Sequence, residues 1–446
     1  MRPLRLLAVL IVATTPLLSD AHPVSATAGV TIDCDTATPA ASLPPQPRPL
    51  RWGINPRVQA GQIGPQQPAV PANDQAQLGA LGLLSGAVGD PGRVPFVVRL
   101  NRIFFPEQPS QAAALDHDMA MYAAAGYLVE LQLRFHPADL APGVPDQGGG
   151  DPAAFAAWAA ALVHSYAGFP ALVSVQVANE TNVNYSFDSS DGFYTLSMEA
   201  MRQGLIAVHR QVARDGSHVR VGTNWVYRGL PEVDKAFWDT FRNDPDARAA
   251  LDWMGLDAYP GTFPYPNQPA SYYNALAGDL DLVRQCFMGY AGIRTSVPIY
   301  IEETGWPTLE PTRPSSTQLT ALQQLTSAAR DYAGTYNVSD FRWFNLRDAD
   351  SSSPNFQQHF GLLTSDYARK PAFCAYRAVV TGSANCPAAA PPTSPPAVSA
   401  ANAGSLPPTS SQAPFTAGLL TVLALAALGV AALRFTARRM ARRREG

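Results

Sequence analysis

The sequence predicts an α/β protein, a single (β/α)8 TIM barrel that extends from about residue 48 to about residue 382. Two observations predict this fold. Eight β-rich segments alternate with helical segments, and strictly alternating β and α elements produce a parallel sheet. When the two ends of the chain are set aside, roughly 350 residues remain, which is within the range of one such barrel.

The predicted strands are short segments rich in β-branched and aromatic residues. They cover residues 50–55, 95–104, 127–136, 173–180, 219–225, 253–259, 298–303 and 341–347. Helices are predicted between them, at residues 111–125, 152–168, 194–214 and 318–332. Asp151 followed by Pro152 is a typical helix start, and a glycine stands at or near the end of each helix.

Both ends of the chain lie outside the predicted barrel. Residues 1–21 combine two arginines, an apolar run and small residues, which is typical of a secretory signal peptide. Because Ala28 is an alternative cleavage point, we assign residues 1–28 to the signal peptide and a short leader, and residues 29–386 to the barrel domain. Residues 387–413 are rich in Pro, Ala and Ser and predict an extended linker.

The C-terminal segment predicts a membrane anchor. Residues 417–433 form an uncharged run of 17 residues, which is close to the short limit for a membrane span. We therefore predict a transmembrane helix over residues 414–434, followed by an arginine-rich cytoplasmic tail over residues 435–446. The protein is expected to be exported and to remain at the extracellular face of the membrane or in the cell wall.

Charge and cysteine content exclude several function classes. The net charge of −3 gives no indication of a nucleic-acid partner. Cys34, Cys286, Cys374 and Cys386 form an even set, which in an exported chain predicts two disulfides. Three pairings are open, and Cys374–Cys386 is favoured because it closes a short local loop. The sequence has neither metal-ligand spacing nor a glycine-rich phosphate loop, so we expect no metal, no cofactor and a monomeric protein.

Two predicted strands end in a glutamate. The segment 173–180 ends in Asn179-Glu180, and the segment 298–303 ends in Glu302-Glu303 and continues with Thr304-Gly305-Trp306-Pro307. The carboxyl ends of all barrel strands meet on one rim, where barrel enzymes carry their chemistry. Two carboxyl groups on that rim are what acid/base and nucleophilic work on a glycosidic bond requires.

Glu302 competes with Glu303 for the nucleophile's role. Side chains alternate along a strand, so the two glutamates are expected to point to opposite sides, with one of them facing the rim pocket. If the two rim carboxyl groups lie about 5 Å apart, they will not both ionise easily, and the one with the raised pKa can donate a proton.

The two motifs resemble those of clan A retaining glycoside hydrolases, most closely the family 17 β-1,3-glucanases, over roughly residues 48–382. The resemblance implies a nucleophile at Glu303, an acid/base at Glu180 and a contact from Asn179 to the sugar 2-hydroxyl. Arg99 resembles the clan's arginine that keeps the nucleophile ionised; Arg102 and Arg134 are competing candidates. Two positions depart from the pattern: Ala178 replaces the expected glycine, and Asp257 stands two residues before Tyr259, where other clan A families place a histidine.

Aromatic and imidazole side chains at strand ends are the candidates for sugar contacts, because flat apolar rings stack on the C–H faces of sugars. Core packing is the alternative for each ring, and a structural role is the alternative for the histidine. The predicted substrate-binding residues are Asn179, Arg99, His136, Trp225, Tyr259, Trp306 and Trp343, with Phe344 as a further, weaker candidate.

The sequence therefore predicts a secreted, surface-anchored retaining glycoside hydrolase that cleaves β-glycosidic bonds in a β-glucan-like polysaccharide or oligosaccharide. One alternative is a carbohydrate-binding surface protein built on an inactivated barrel, and another is a transglycosylase on the same barrel. Leu406-Pro-Pro-Thr-Ser410 resembles a sortase cell-wall sorting signal, with Ser410 in place of the usual glycine. That substitution favours a retained membrane anchor over cell-wall attachment.

Overall fold

The computed structural model of the chain describes residues 40–56, 70–86, 92–104, 109–136, 150–184, 189–226, 231–263 and 269–387. The predicted signal peptide, transmembrane helix, cytoplasmic tail and all but the first residue of the predicted linker lie outside these ranges. Within the described ranges, no helix has the length and apolar character needed to cross a membrane.

Eight parallel strands close into one barrel in the order of the sequence, which confirms the predicted fold class. The strands are β1 Arg51–Ile54, β2 Phe96–Ile103, β3 Leu128–Arg134, β4 Leu172–Val177, β5 Arg220–Val226, β6 Trp253–Asp257, β7 Ile299–Thr304 and β8 Val338–Trp343. Seven of them overlap the predicted segments closely.

The eighth strand begins earlier and ends earlier than predicted. It covers Val338–Trp343 and not residues 341–347. The start was missed because Ser339 and Asp340, near the beginning of the strand, are polar and do not match the pattern of a buried strand. Asp340 lies between the guanidinium groups of Arg51 and Arg342, each with a nitrogen 2.7 Å from its Oδ1. After Trp343 the chain leaves the sheet and bonds to rim loops, for example from Asn345 N to Phe360 O.

Helices surround the barrel. They are α1 Asp74–Ser85, α2 Pro109–Ala124, α3 Pro152–Ser165, α4 Ser197–Asp215, α5 Pro231–Asn243, α6 Pro245–Ala249, α7 Tyr272–Asp281, α8 Met288–Tyr290, α9 Ser315–Asp331 and α10 Pro371–Thr381, with a π-helical segment Leu282–Phe287 between α7 and α8. The four predicted helices correspond to α2, α3, α4 and α9. As predicted, the Asp151 carboxylate accepts hydrogen bonds from the first turn of α3, and Gly216 ends α4 in a left-handed conformation.

The apolar core lies between the sheet and the helices, whereas the barrel interior is strongly polar. Arg99, Glu130, Glu302 and Arg342 are fully or almost fully buried inside the barrel and contact one another in salt bridges. Buried charges are stable only when they are paired or neutralised. The floor of the rim pocket is therefore a charged layer and not an apolar plug.

The predicted disulfide Cys374–Cys386 is confirmed. It joins the first turn of α10 to the segment that follows this helix, and Arg369 Nη1 donates to Pro387 O at 2.6 Å beside it. Cys286 is also disulfide-bonded.

Candidate active site

Polar side chains from neighbouring strands meet at the carboxyl-terminal rim of the barrel. Gln132 comes from β3, Gln176 from β4, Asn224 from β5 and Asp257 from β6; all four are buried. Because the strands are parallel, their C-terminal ends all open on the same side. Glu180, two residues after Ala178 at the end of β4, and Glu303 on β7 complete this rim cluster.

Glu303 is held by two donors. Arg99 Nη1 donates to its Oε1 at 2.6 Å, and the Tyr259 hydroxyl donates to its Oε2 at 2.7 Å. The side chain of Arg99 is fully buried, while that of Glu303 is 10% exposed and so reaches the pocket surface. A carboxylate that accepts two charge-assisted or hydroxyl hydrogen bonds is fixed in one orientation. This is the geometry a positioned nucleophile needs.

Arg102 and Arg134, the competing arginines, lie elsewhere. Arg102 is buried near Tyr166 and Asp116, and Arg134 Nε donates to Asp191 Oδ1 at 3.0 Å. Of the three arginines, Arg99 is the one that contacts Glu303.

Strand β7 contains a bulge that brings both of its glutamates inward. Leu256 pairs with Ile301 and the next residue, Asp257, pairs with Glu303, so Glu302 is an extra residue in the ladder. Glu302 consequently approaches Arg99, with Oε2 3.4 Å from Nε, and Gly255 leaves space for its side chain, since a Cβ there would lie 3.0 Å from Glu302 Cγ. The expectation that the two glutamates point to opposite sides was wrong, because a bulge breaks the two-residue alternation.

The two glutamates differ in how deeply they are buried. Glu302 is completely buried, and it contacts Glu130 and Arg99 beneath the pocket. Burial, together with the neighbouring charge of Glu130, raises the pKa of Glu302 well above its usual range. Burial alone would raise the pKa of Glu130, but Arg342, a hydrogen bond with Glu302 and Arg99 together lower it to about 2. A neutral Glu302 beside an ionised Glu130 avoids two adjacent buried negative charges, which is the state that these pKa shifts favour.

The turn after β4 has a strained backbone and is held in place by hydrogen bonds to Asp191. Ala178 and Glu180 both have left-handed backbone conformations, with φ of 61° and 47°, which L-residues adopt at a cost of about 1–2 kcal/mol each. Asp191 holds the turn from below: its Oδ2 accepts from the backbone N–H of Asn179 at 2.9 Å and of Phe135 at 2.8 Å. Ala178 thus occupies a position that glycine would fill without strain.

Asn179 and Asn224 tie the rim together. Asn179 Oδ1 accepts from Gln132 Nε2 at 2.6 Å and from Asn224 Nδ2 at 2.9 Å. Asn224 Oδ1 accepts from the backbone N–H of Glu180 at 2.9 Å, and its Nδ2 also donates to Asp257 Oδ2. Since the Asn179 Nδ2 atom donates to Ser189 O at 3.1 Å, the orientation of this amide is fixed by its partners.

Three carboxyl groups converge in the pocket. One carboxylate oxygen from each of Glu180, Asp257 and Glu303 lies within 4.8 Å of the other two. Among the described residues, this is the group whose spacing would suit a cation. We assign no metal to it, because the guanidinium of Arg99 already supplies positive charge to Glu303. The oxygens of Glu180 and Glu303 that face each other are close enough for both carboxyl groups to reach the same bound atom.

Asp257 is the site residue that the sequence reasoning missed as a candidate. It is completely buried; burial first, and then the charges of Glu303 and Glu180, raise its pKa well above the usual range. The available signal was the same as for the two glutamates: a carboxylate that ends an apolar β segment, here Trp253–Asp257.

Tyr259 belongs to a small aromatic cluster at the pocket wall. Its ring lies 6.2 Å from that of Phe344 and 5.7 Å from that of Phe360, both edge to face. Trp306 follows Glu303 on the rim loop and is largely buried, with the Arg313 guanidinium 5.4 Å above its ring. Of these rings, Tyr259 is the one whose hydroxyl contacts Glu303.

The structure places Trp225 and Trp343 in the packing core instead of the pocket, and both are 0% exposed. Trp225 packs on Trp238, and its Nε1 donates to Asp234 at 2.9 Å. Trp343 lies near Tyr376 of α10. The reason is alternation: Asn224 and Arg342, the preceding residues, face the barrel interior, so the tryptophans face the helices. The substrate contacts predicted for these two residues are corrected accordingly.

His136 is also buried and lies against Tyr194, with ring centroids 4.9 Å apart. It packs with Phe135 and Tyr194 on the wall formed by the end of β3. Its environment is that of a packed structural histidine.

Comparison with known proteins yields structural matches. No protein-family model and no curated protein matches the chain. A family 39 glycoside hydrolase from Bacteroides cellulosilyticus matches with a TM-score of 0.48 and 14% identity, over 75% of this chain and 64% of that one. A β-glucuronidase of Bacteroides uniformis matches with a TM-score of 0.47 and 16% identity, over 75% of this chain and 35% of that one.

An active-site mutant of a Rhizomucor miehei β-1,3-glucanosyltransferase in complex with laminaritriose matches with a TM-score of 0.43 and 18% identity, over 72% of this chain and 96% of that one. The chain thus spans less than two thirds of the length of the first two matched proteins.

Proposed function

We propose that this protein is a retaining glycoside hydrolase that cleaves β-glycosidic bonds by double displacement. The observation that carries the proposal is the pair of rim carboxyl groups, Glu180 and Glu303, with oxygens within 4.8 Å of each other. At that separation one carboxyl group can attack the sugar directly, while the other serves the leaving oxygen.

In the first step a Glu303 oxygen forms a bond to the anomeric carbon, and the bond from that carbon to the leaving oxygen breaks. Glu180 transfers its proton to the leaving oxygen. In the second step Glu180 takes a proton from water, the water oxygen bonds to the anomeric carbon, and Glu303 leaves as a carboxylate. The sugar has then been displaced twice, and its configuration is retained.

The neighbouring residues prepare Glu303 for attack. Arg99 at 2.6 Å and Tyr259 at 2.7 Å fix the positions of its two oxygens. Asn179, whose side-chain amide is held by Gln132, Asn224 and Ser189, is proposed to bind the sugar 2-hydroxyl. Tyr259 and Trp306 are proposed to line the sugar site.

The proposal also covers where the protein is located and which substrate it cleaves. We propose an exported protein, held at the cell surface by its C-terminal segment, that degrades a β-glucan-like polysaccharide in the manner of family 17 β-1,3-glucanases. Product analysis on β-1,3, β-1,4 and mixed-linkage glucans and on mannans tests the substrate. Mass spectrometry of the mature C-terminus tests the anchor: an intact arginine tail supports it, and a chain that ends at Thr409 supports cell-wall sorting.

Azide rescue of two variants tests the mechanism. Glu303→Ala should lose activity on every substrate, and azide should restore turnover with inverted stereochemistry, because the anion replaces the nucleophile. Glu180→Ala should lose far more activity on substrates with poor leaving groups than on activated aryl glycosides. Azide should then rescue with retained stereochemistry, since the covalent intermediate still forms.

Glu302→Ala is the matched control, because it removes the adjacent glutamate, which is completely buried beneath the pocket. Loss of activity and azide rescue in Glu302→Ala, with full activity in Glu303→Ala, would show that the nucleophile is Glu302. If both Glu303→Ala and Glu180→Ala kept wild-type activity, the proposed function of this site would be refuted.

A further inference from the structure

Asp257 lies among the reacting carboxyl groups but has no role in the two steps above. Its Oδ2 accepts a hydrogen bond from Asn224, and its Oδ1 is buried without a hydrogen-bond partner among the described residues. The charged and titratable groups that act on it come from four elements: Glu302 and Glu303 on β7, Glu180 after β4, Arg99 on β2, and Tyr259 after β6.

Positive charge is scarce around Asp257. Of the groups that act on it, Arg99 is the one that favours its ionised form, and this guanidinium already contacts Glu303, Glu302 and Glu130. An ionised Asp257 would therefore add a completely buried negative charge within 4.8 Å of oxygens of Glu180 and Glu303. Carboxyl groups at such distances share protons because they cannot all ionise.

Asn224 fixes the geometry between Asp257 and the acid/base. One of its amide hydrogens is donated to Asp257 Oδ2, and its carbonyl oxygen accepts from the backbone N–H of Glu180 at 2.9 Å. The strand end that carries Asp257 and the turn that carries Glu180 are thus joined through one side chain, which fixes the Glu180 backbone relative to the Asp257 carboxyl group.

We propose that Asp257 is a positioning residue that titrates as a coupled pair with Glu180, so that the pair retains one proton at pH values where an isolated glutamate would have lost it. This rests on the proposed role of Glu180 as acid/base. Asp257 passes no proton to the substrate. The negative charge that appears on either carboxyl group keeps the remaining proton on the pair, which extends the acid function of Glu180 to higher pH.

The pH dependence of kcat/KM for Asp257→Asn tests the coupling. Asparagine keeps the size and the hydrogen bond to Asn224 but cannot ionise. Two unit charges no more than 4.8 Å apart at an effective dielectric constant of about 20 shift a titration by about 2.5 pH units or more. The basic limb of the profile should therefore move to lower pH by about 2.5 units, and Asp257→Glu should restore it at least in part.

Asp279→Asn is the matched control, since it removes a buried carboxyl group from α7, outside the pocket. Its basic limb should coincide with that of the wild type. A basic limb that stays in place in Asp257→Asn, even with reduced kcat, would overturn the proposal and leave Asp257 a structural residue.

A second measurement separates this inference from the proposed function, because it needs no turnover. Infrared difference spectra of the full chain, recorded as a function of pH, follow the carboxylic acid C=O band in the wild type and in Asp257→Asn, Glu180→Gln and the double variant. The Asp257 contribution should titrate at lower pH when Glu180 is replaced. An Asp257 titration that is the same with and without Glu180→Gln would overturn the coupling, whether or not the protein hydrolyses a glycoside.

Discussion

The buried guanidinium of Arg99 contacts both the proposed nucleophile and the charged groups beneath the pocket. The variant Arg99→Met therefore tests the contribution of this residue to activity and to stability. The side chain is fully buried, and its nitrogens lie 3.4 Å from oxygens of Glu130 and Glu302 and 2.6 Å from Glu303 Oε1. Removing one partner of a buried ion pair costs about 3–5 kcal/mol, because the other charge stays uncompensated. We expect a loss of that size in the free energy of unfolding at pH 7, together with loss of activity.

The same loss should shrink in acid. The pKa of Glu130, which Arg99 helps to lower to about 2, makes this carboxylate stabilising above its unfolded pKa near 4.5, and that contribution disappears as the pH falls towards 2. Once the neighbouring carboxylates are protonated, the missing guanidinium matters less. Urea unfolding of wild type and Arg99→Met at pH 7 and pH 3 should therefore give a difference at pH 3 that is at most half of the difference at pH 7.

Arg284→Met provides the matched control. Arg284 is also largely buried, but it donates to two backbone carbonyls, Tyr336 O at 2.9 Å and Val297 O at 2.8 Å. Its replacement should cost a similar free energy at both pH values and leave activity intact below the unfolding temperature. An Arg99→Met penalty that is equal at pH 7 and pH 3 would refute the reasoning from carboxylate charge.

Two further predictions concern stability. Burial raises the pKa of Asp279 to about 8; a carboxyl group with a raised folded-state pKa stabilises fully below about pH 4, and this contribution is lost as the pH rises towards 8. Asp279→Asn should therefore raise Tm relative to wild type at pH 8 more than at pH 4, and equal differences would contradict this. Ala178→Gly should be neutral or stabilise by up to about 1 kcal/mol, because relief of the left-handed conformation offsets the lost methyl group. Ala159→Gly in α3, where the helix is right-handed, should instead lower Tm by thermal unfolding, at a cost of about 1 kcal/mol or more.

The sequence was sufficient for the barrel because each strand is a separate local signal. Apolar β segments such as Leu172–Val177 and Ile299–Thr304 are recognisable from a few residues, and their alternation with helices determines the parallel order. Strand Val338–Trp343 was predicted to start three residues too late and to end four residues too late, because Ser339 and Asp340 are typical turn residues and the sequence does not show that Arg51 and Arg342 neutralise the acid.

The site was harder, because it depends on where side chains point. The bulge on β7 is a property of pairing with β6 and β8, so nothing in Glu302-Glu303 itself reveals that both side chains turn inward. The same limit explains Trp225 and Trp343, whose orientation follows from the polar residue before each. Asp257 was visible as a strand-terminal acid, but its proximity to Glu180 and Glu303 is a contact between β4, β6 and β7 that only the closed barrel creates.

The Cys374–Cys386 bridge determines how the barrel would bear a mechanical load applied to its C-terminal end. Cys374 lies in the first turn of α10, and Cys386 lies beyond the end of that helix. A pull on the chain beyond Pro387 therefore passes through the sulfur atoms directly to the start of α10, and the remaining turns of the helix stay out of the load path. Under such a load the bridge should keep α10 packed against the sheet that carries the pocket.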